Sequence, residues 1–205
     1  MYLKKLLGSV SLVTLLIASN AVTVSANDDF AFNTKSLVGF EAGYATFNVD
    51  NNFNALDSSS YISPTQSFNE GDIGLKIGAQ GNDFRVFLSA KNFFVGSEYD
   101  YFITLGGEVD YLFNFSKSVN FFIGANGGYL KTKFQGKNER FTREMDGIYY
   151  GGELGFNFHI NSKYDLEIGT RIMTTNAKST KNSVKYSIDY MLNGYASFII
   201  KFDMD

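Results

Sequence analysis

The stretch that decides the fold is residues 101–130, YFITLGGEVDYLFNFSKSVNFFIGANGGYL. It is rich in Phe and Tyr, but charged residues and glycines recur too often for a membrane-spanning helix. Every second residue from Tyr99 to Phe113 is apolar or glycine, whereas the residues between them include Asp100, Glu108 and Asp110. A period of two residues is the pattern of a β-strand with two different faces. A strand from 99 to 113 is much longer than the roughly five or six residues usual in soluble proteins.

The same alternation recurs along the rest of the chain. Further rows of mostly apolar residues, taken at every second position, run over Val38–Tyr44, Ile73–Ala79, Phe84–Ala90, Val119–Tyr129, Ile148–Ile160, Leu166–Ile172 and Ile188–Phe202, and none contains a charged residue. Short segments rich in Asn, Gly, Ser and Asp lie at Gln80–Asp83, Asn114–Ser118 and Asn161–Lys163. Longer polar connections are expected at Asn48–Ser67, Asn92–Glu98, Lys133–Asp146 and Thr174–Lys185. This rhythm predicts an all-β fold, an eight-stranded antiparallel up-and-down barrel.

The direction of the apolar face separates a membrane barrel from a soluble one. A lipocalin-like soluble barrel turns its apolar face inward, around a ligand. Here aromatic residues gather at the ends of the apolar rows, as with Tyr101 and Phe113, and aliphatic residues lie between them, which is typical of two interfacial girdles around a lipid-facing band. The opposite face is rich in glycine and carries charges of both signs, as expected of a narrow interior and not of a solvated sheet. The pattern therefore predicts a transmembrane barrel.

The N-terminus has the three parts of a secretory signal peptide. Lys4 and Lys5 precede an uncharged apolar run that ends at the small residues Ser25 and Ala26. We expect residues 1–26 to be a cleaved signal peptide and residues 27–205 to form the barrel domain; an uncleaved membrane anchor is the alternative. The 205-residue chain has no Cys, which excludes disulfides and thiolate metal sites. Its formal net charge of −3 gives no indication of nucleic-acid binding.

These features together resemble the small OmpA/OmpX-type outer-membrane barrels of Gram-negative bacteria. The resemblance covers essentially all of residues 27–202 and includes the aromatic final strand LNGYASFIIKF. It implies a location in the outer membrane, contact with outer-membrane lipid and lipopolysaccharide, and recognition of the last strand by the barrel-assembly machinery. Phe198, Ile200 and Phe202 fit that assembly signal. The family's last strand usually ends the chain, whereas Asp203, Met204 and Asp205 follow it here.

A set of charged residues is predicted to lie on the inward face near the middle of the strands. Its members are Glu41, Lys76, Arg85, Glu108, Glu153, Glu167 and Arg171. Buried charges are tolerated only when they are paired and hydrogen-bonded, so we expect an interior network of ion pairs. Two hypotheses follow. The network is a permanent plug, or it rearranges to open a narrow water path, as the resemblance to OmpA-like barrels implies.

A second set of charged residues is basic and falls in or beside the predicted long loops. It comprises Lys133, Lys137, Arg140, Arg143, Lys178, Lys181 and Lys185. The functional hypothesis is contact with the phosphates of lipopolysaccharide, and the alternative is ordinary solvation of loops. The first long loop is a candidate contact for a host or cell-surface partner.

Nothing in the sequence indicates an active site. The only histidine, His159, is expected on the inward face near a short turn, and His159-Ile160-Asn161 lacks the His-x-Ser pattern of lipid-deacylating barrels. No cofactor motif or metal-ligand spacing occurs. The sequence therefore predicts a non-enzymatic protein of envelope integrity or surface contact. A narrow, low-conductance pore is the alternative, and a lipid-modifying enzyme comes third.

Overall fold

The chain folds into a single closed sheet of antiparallel strands, as described by a computed structural model for residues 34–53, 65–94, 99–135, 142–181 and 184–203. The strands are β1 (Lys35–Phe53), β2 (Thr65–Gln80), β3 (Phe84–Phe93), β4 (Tyr99–Phe113), β5 (Val119–Gln135), β6 (Thr142–His159), β7 (Tyr164–Thr175), β8 (Lys178–Lys181) and β9 (Val184–Asp203). The predicted signal peptide, residues 1–26, lies outside the described residues. Within those residues, no helix is long and apolar enough to cross a membrane.

The sheet closes because its first and last strands pair. β1 runs antiparallel to β9 from Lys35 opposite Asp203 to Phe53 opposite Val184. The short strand β8 continues the line of β7 after a break at 176–177, and it pairs with β9. β7 and β8 therefore form one strand of the wall, and the prediction of an eight-stranded antiparallel barrel is confirmed. The sequence did not predict that break.

The two ends of the barrel differ in the length of their connections. At the turn end, the short connections 81–83, 114–118 and 160–163 lie beside Lys35 and Asp203. Asn161 shows how such a turn forms, because its Oδ1 accepts hydrogen bonds from the backbone N–H groups of Lys163 (2.8 Å) and Tyr164 (3.0 Å). The opposite end is called the loop end.

The outer wall next to the turn end is apolar. Phe40, Ile77 and Ile168 expose about half of their surface, at 53%, 56% and 51%. Aromatic rings form a continuous series around part of the turn end, with successive centroids 4.8–6.5 Å apart in the order Phe84, Tyr111, Phe113, Phe121, Phe156 and Phe158. This is the predicted aromatic girdle at one edge of a lipid-facing band.

Toward the loop end, the polarity of both faces inverts. We call the strand segments 45–53, 65–70, 130–135, 142–147, 178–181 and 184–190 the loop-end collar. Its outer face carries polar residues, among them Thr46, Asn48, Asn69, Lys131, Glu144 and Asp189. Its interior and base are filled by a buried apolar layer that includes Phe47, Val49, Phe102, Leu130, Met145 and Ile188. The collar is thus organised like a soluble barrel, and the rest of the wall like a membrane barrel.

The collar corrects the predicted loop boundaries. The segments Asn48–Ser67, Lys133–Asp146 and Thr174–Lys185 were expected as loops, but strand pairing continues into each of them. In the first, Val49 lies opposite Gln66 and Asp50 lies opposite Thr65. The apolar row changes from the outer to the inner face there, because the surroundings change from lipid to water.

Candidate functional site: the charge network inside the barrel

The charged side chains of the interior are placed by the register of the wall. Glu153 of β6 lies directly opposite Arg171 of β7, and both point inward. Lys76 of β2 lies opposite Gly39 of β1, and a Cβ atom at Gly39 would come within 2.7 Å of the lysine stem. Glycine therefore leaves room for the long cationic side chains in a lumen only wide enough for side chains.

Arg171 is the centre of the network. Its Nη1 and Nη2 donate to the two carboxylate oxygens of Glu41 at 2.6 and 2.9 Å. Its Nε donates to Oε2 of Glu153 at 2.5 Å, and Nη2 reaches Oε1 of Glu108 at 3.2 Å. The guanidinium carbon lies 3.7 Å from the centroid of the Tyr195 ring, a cation–π contact. One guanidinium thus joins strands on opposite sides of the lumen.

Two lysines share the same carboxylates. Lys91 Nζ lies 2.8 Å from Glu41 and 3.8 Å from Glu108. Lys76 Nζ lies 2.7 Å from Glu167, 3.6 Å from Glu41 and 3.9 Å from Glu108. Lys76 therefore connects the cluster around Arg171 with the carboxylate of Glu167, which lies nearer the turn end.

Arg85 completes the network on the side of the turn end. Its Nε donates to Asp110 at 2.7 Å, and its Nη2 pairs with Glu167. Its guanidinium lies 4.5 Å from the centroid of the Phe122 ring. Arg85, Glu167 and Arg171 are each no more than 1% exposed, so these buried charges depend on one another for compensation.

A separate polar group lies at the turn end. Asp165 accepts from Lys201 Nζ at 2.5 Å and from Asn157 Nδ2 at 2.9 Å. The ring atom Nδ1 of His159 lies 2.9 Å from the same carboxylate. Among the described residues, Asp165 is the one carboxylate that contacts His159, and no group of three His, Asp or Glu side chains is placed to hold a metal ion.

The apolar layer lies on the loop-end side of the network. Phe102 packs edge-to-face on Phe47, with centroids 5.1 Å apart, and lies 4.6 Å from Phe93. Phe47, Phe102, Leu130 and Met145 are each 0% exposed. The interior therefore has a charged part beside the lipid-facing wall and an apolar part inside the loop-end collar, and two smaller apolar clusters accompany the charged part, at Leu37, Phe87 and Ile199 and at Leu112, Phe122 and Tyr195.

All seven charged residues of the predicted interior set belong to one contiguous network. Five further buried charged residues were not in the predicted set: Lys91, Asp72, Asp110, Asp165 and Lys201. Their signal was present, because each occupies an inward position of the same alternation. Asp72, for example, lies opposite Gly43 and accepts from Asn193 Nδ2 at 2.7 Å.

Five of the seven predicted basic loop residues lie in strand segments of the loop-end collar. Lys133 belongs to β5 and Lys178 to β8, and Arg143, Lys181 and Lys185 are also strand residues. Lys137 and Arg140 lie outside the described residues. Lys133 donates to Asp100, with 2.7 Å between Nζ and Oδ2, and this hydrogen bond raises the pKa of Lys133. Lys178 and Lys185 are exposed.

The candidate assembly signal lies on the closing strand. Phe198 and Phe202 point outward from β9, at 39% and 50% exposure, and the Tyr164 ring stacks on Phe198 with centroids 5.6 Å apart. Asp203 continues β9 by one residue and lies opposite Lys35. Recognition of this strand by assembly machinery stays a prediction.

Comparison with known proteins identifies the fold. No family model and no curated protein matches the sequence. Among solved structures, the outer membrane protein OprG from Pseudomonas aeruginosa is similar with a TM-score of 0.62 and 16% identity, over 84% of this chain and 98% of that one. Neisserial surface protein A has a TM-score of 0.59 and 16% identity, over 82% and 97%. The outer membrane protein AlkL, determined in lipid bilayers, has a TM-score of 0.50 and 12% identity, over 88% and 96%. The fold is that of the small outer-membrane barrels, as the sequence resemblance implied.

Proposed function

We propose that this protein is a closed, non-enzymatic barrel of the bacterial outer membrane that anchors and displays the loop-end collar at the cell surface. The turn end faces the periplasm in this proposal. The observation that carries it is the two-part interior, in which a charge network lies under an apolar layer whose central side chains are 0% exposed. An interior filled in this way stabilises a rigid support and leaves contacts with other molecules to the loop end.

Planar-bilayer recording tests whether the barrel is closed. The refolded chain 27–205 is compared with a Phe47→Ala/Phe102→Ala variant, which removes two rings in contact from the apolar layer. Folding of each sample is checked by the shift in gel mobility on heating. We expect no discrete current steps from the wild-type barrel and measurable steps from the double variant. Discrete, salt-dependent steps from the folded wild type would refute closure.

A narrow pore is the second candidate, and the charge balance of the interior supports it. Among the described residues, seven carboxylates are buried, on Glu41, Asp72, Glu108, Asp110, Glu153, Asp165 and Glu167, against five cations on Lys76, Arg85, Lys91, Arg171 and Lys201. A path along this wall would favour cations over anions. Cation-selective steps in the wild type that change in Arg85→Ala would establish the pore and make the network its gate.

The surface role rests on the outer face of the collar. Lys178 and Lys185 are exposed there, and we propose that they contact phosphates of lipopolysaccharide, while the long connections contact a host or cell-surface partner. Binding of lipopolysaccharide to the barrel in nanodiscs is expected to weaken in Lys178→Gln/Lys185→Gln and to stay unchanged in Lys163→Gln, at the turn end. Equal binding by all three proteins would contradict these contacts.

Orientation and location are tested in cells. An epitope inserted between β5 and β6 is expected to be cleaved by protease added to intact cells, whereas one inserted at Ser116 in a turn-end connection is expected to be protected until the outer membrane is permeabilised. The reverse pattern would overturn the orientation, and recovery with inner-membrane fractions would overturn the location.

A further inference from the structure

The turn end contains an open cavity that the interior network does not use. It has a volume of about 420 Å³ and is lined by Lys35, Lys117, His159, Asn161, Ser162 and Lys201. The lining brings together the first residue of β1, the last residue of β6, two turn connections and the end of β9. Residues so far apart in sequence meet there because all of them belong to the same end of the barrel.

The charged side chains that line this cavity are all cationic. Three of its lining residues are lysines, and none carries a carboxylate. Asp165 is an interior carboxylate at 1% exposure that accepts from Lys201, Asn157 and His159, so it compensates the charge of Lys201 and leaves that of Lys35 and Lys117. Lys117 has no carboxylate within 4.0 Å among the described residues. Lys35 has one long contact, 3.8 Å to Asp203, which is 81% exposed. Positive charge is therefore left uncompensated at the mouth of the cavity.

Neutral donors accompany the lysines. The Oδ1 of Asn161 is occupied by the turn backbone, so its Nδ2 is the group left to face a ligand. Ser162 supplies a hydroxyl from the same turn. His159 is held through Nδ1 by Asp165, and its Nε2 lies 3.4 Å from Asn120 Nδ2. Lys201 is 9% exposed, so the floor of the cavity is a fixed cation and not a mobile surface side chain.

From this geometry we propose that the turn-end cavity is a binding site for a phosphate-bearing anion. Convergent lysines with hydroxyl and amide donors recognise the multiple acceptor oxygens of a phosphate group. Two sources present this chemistry, a phospholipid headgroup of the surrounding leaflet and a soluble phosphate compound. The volume accommodates either one. The site is independent of whether the lumen conducts and of contacts at the loop end.

The single histidine makes the site directly observable. Tag-free protein with ¹⁵N-labelled histidine is refolded into phosphatidylcholine nanodiscs at constant pH, and inorganic phosphate is added while the His159 ring resonances are recorded. Sodium chloride at equal ionic strength is the control for screening. A second series uses nanodiscs that contain phosphatidylglycerol. Folding of every sample is verified by heat-dependent gel mobility.

Matched variants decide the assignment. We expect a saturable shift of the His159 resonances whose midpoint moves to about three- to tenfold higher ligand concentration in Lys117→Gln and in Lys35→Gln. Lys163→Gln removes a lysine of the same turn that does not line the cavity, and it is expected to leave the midpoint within about twofold. A shift caused by inorganic phosphate identifies a soluble ligand, and a shift seen only with phosphatidylglycerol identifies a headgroup; both support the site. No saturable shift in either series, or equal effects of Lys117→Gln and Lys163→Gln, overturns the proposal.

Discussion

Replacing Arg171 by methionine tests whether the charge network holds the barrel together. Without the guanidinium, Glu41 keeps Lys91 at 2.8 Å, and Glu108 keeps Lys91 and Lys76 at 3.8 and 3.9 Å. Glu153 loses its one cationic partner among the described residues, and its other oxygen, Oε1, has no hydrogen-bond partner there. The main cost is therefore that the buried carboxylate of Glu153 is left without a cationic partner. We expect this to lower the free energy of unfolding by about 3–5 kcal/mol.

A second substitution separates the cost of the unpaired Glu153 carboxylate from the other effects of losing Arg171. Arg171→Met/Glu153→Gln removes the stranded charge together with its partner, so we expect it to recover about 1–3 kcal/mol relative to Arg171→Met. The matched control is Lys131→Met, because Lys131 pairs with Glu144 at 3.5 Å on the outer face, where both side chains are well exposed. That loss is expected to be below about 1 kcal/mol.

The assay is urea unfolding of barrels refolded into phospholipid vesicles. The chain has no Trp, so far-UV circular dichroism and heat-dependent gel mobility replace tryptophan fluorescence. The reasoning is refuted if Arg171→Met costs no more than Lys131→Met. It is also refuted if adding Glu153→Gln recovers nothing, because the stranded carboxylate would then not be the cause.

Three further predictions concern the wall and the collar. Gly128→Ala is expected to destabilise by about 1–3 kcal/mol in the same urea assay, because a Cβ there overlaps the β4 backbone; Gly194→Ala, with nothing within 4 Å, should be neutral, and equal losses would contradict the packing argument. Ile168→Arg places a charge on the lipid-facing wall and should cost about 2–4 kcal/mol; a neutral result would mean that Ile168 does not face lipid. A hydrogen bond with the Asp50 carboxyl raises the pKa of Asp189, so the folded state gains stability as pH falls through that raised pKa; Asp189→Asn should remove this part of the pH dependence, and an unchanged unfolding profile would contradict the pairing.

The fold was predictable because lipid imposes one simple rule on the outer face. The alternation around Ile103 and Val109 places apolar side chains outward, and the same period places Glu108 and Arg171 inward. The partners within the network were not predictable. Arg171 and Glu41 are 130 positions apart, and their long side chains reach across the lumen. The alternation of the sequence therefore predicts which face a residue occupies, but it does not predict which residue its side chain contacts.

The loop-end collar was missed because only the outward apolar row was followed. In the segment Thr46-Phe47-Asn48-Val49, the period of two continues, but the apolar residues move to the inward positions. The apolar residues on the inward face, Phe47 and Val49, indicate that β1 extends beyond that point. The turn-end cavity has no such signal, because it depends on how Lys35, Lys117 and Lys201 meet at one rim.

The inversion of polarity at the base of the collar has a consequence for the membrane itself. Tyr44 is 60% exposed on the outer face, and the next outward residues on β1 are the polar Thr46 and Asn48. The Nδ2 of Asn48 donates a hydrogen bond to the Tyr190 hydroxyl at 2.7 Å. The aromatic series at the turn end limits the apolar band from the other side. The polar collar and the aromatic series thus lie at the two edges of the lipid-facing band. A bilayer thinner or thicker than this band is therefore expected to deform around the barrel or to tilt it, so the height of the band favours a membrane of matching thickness.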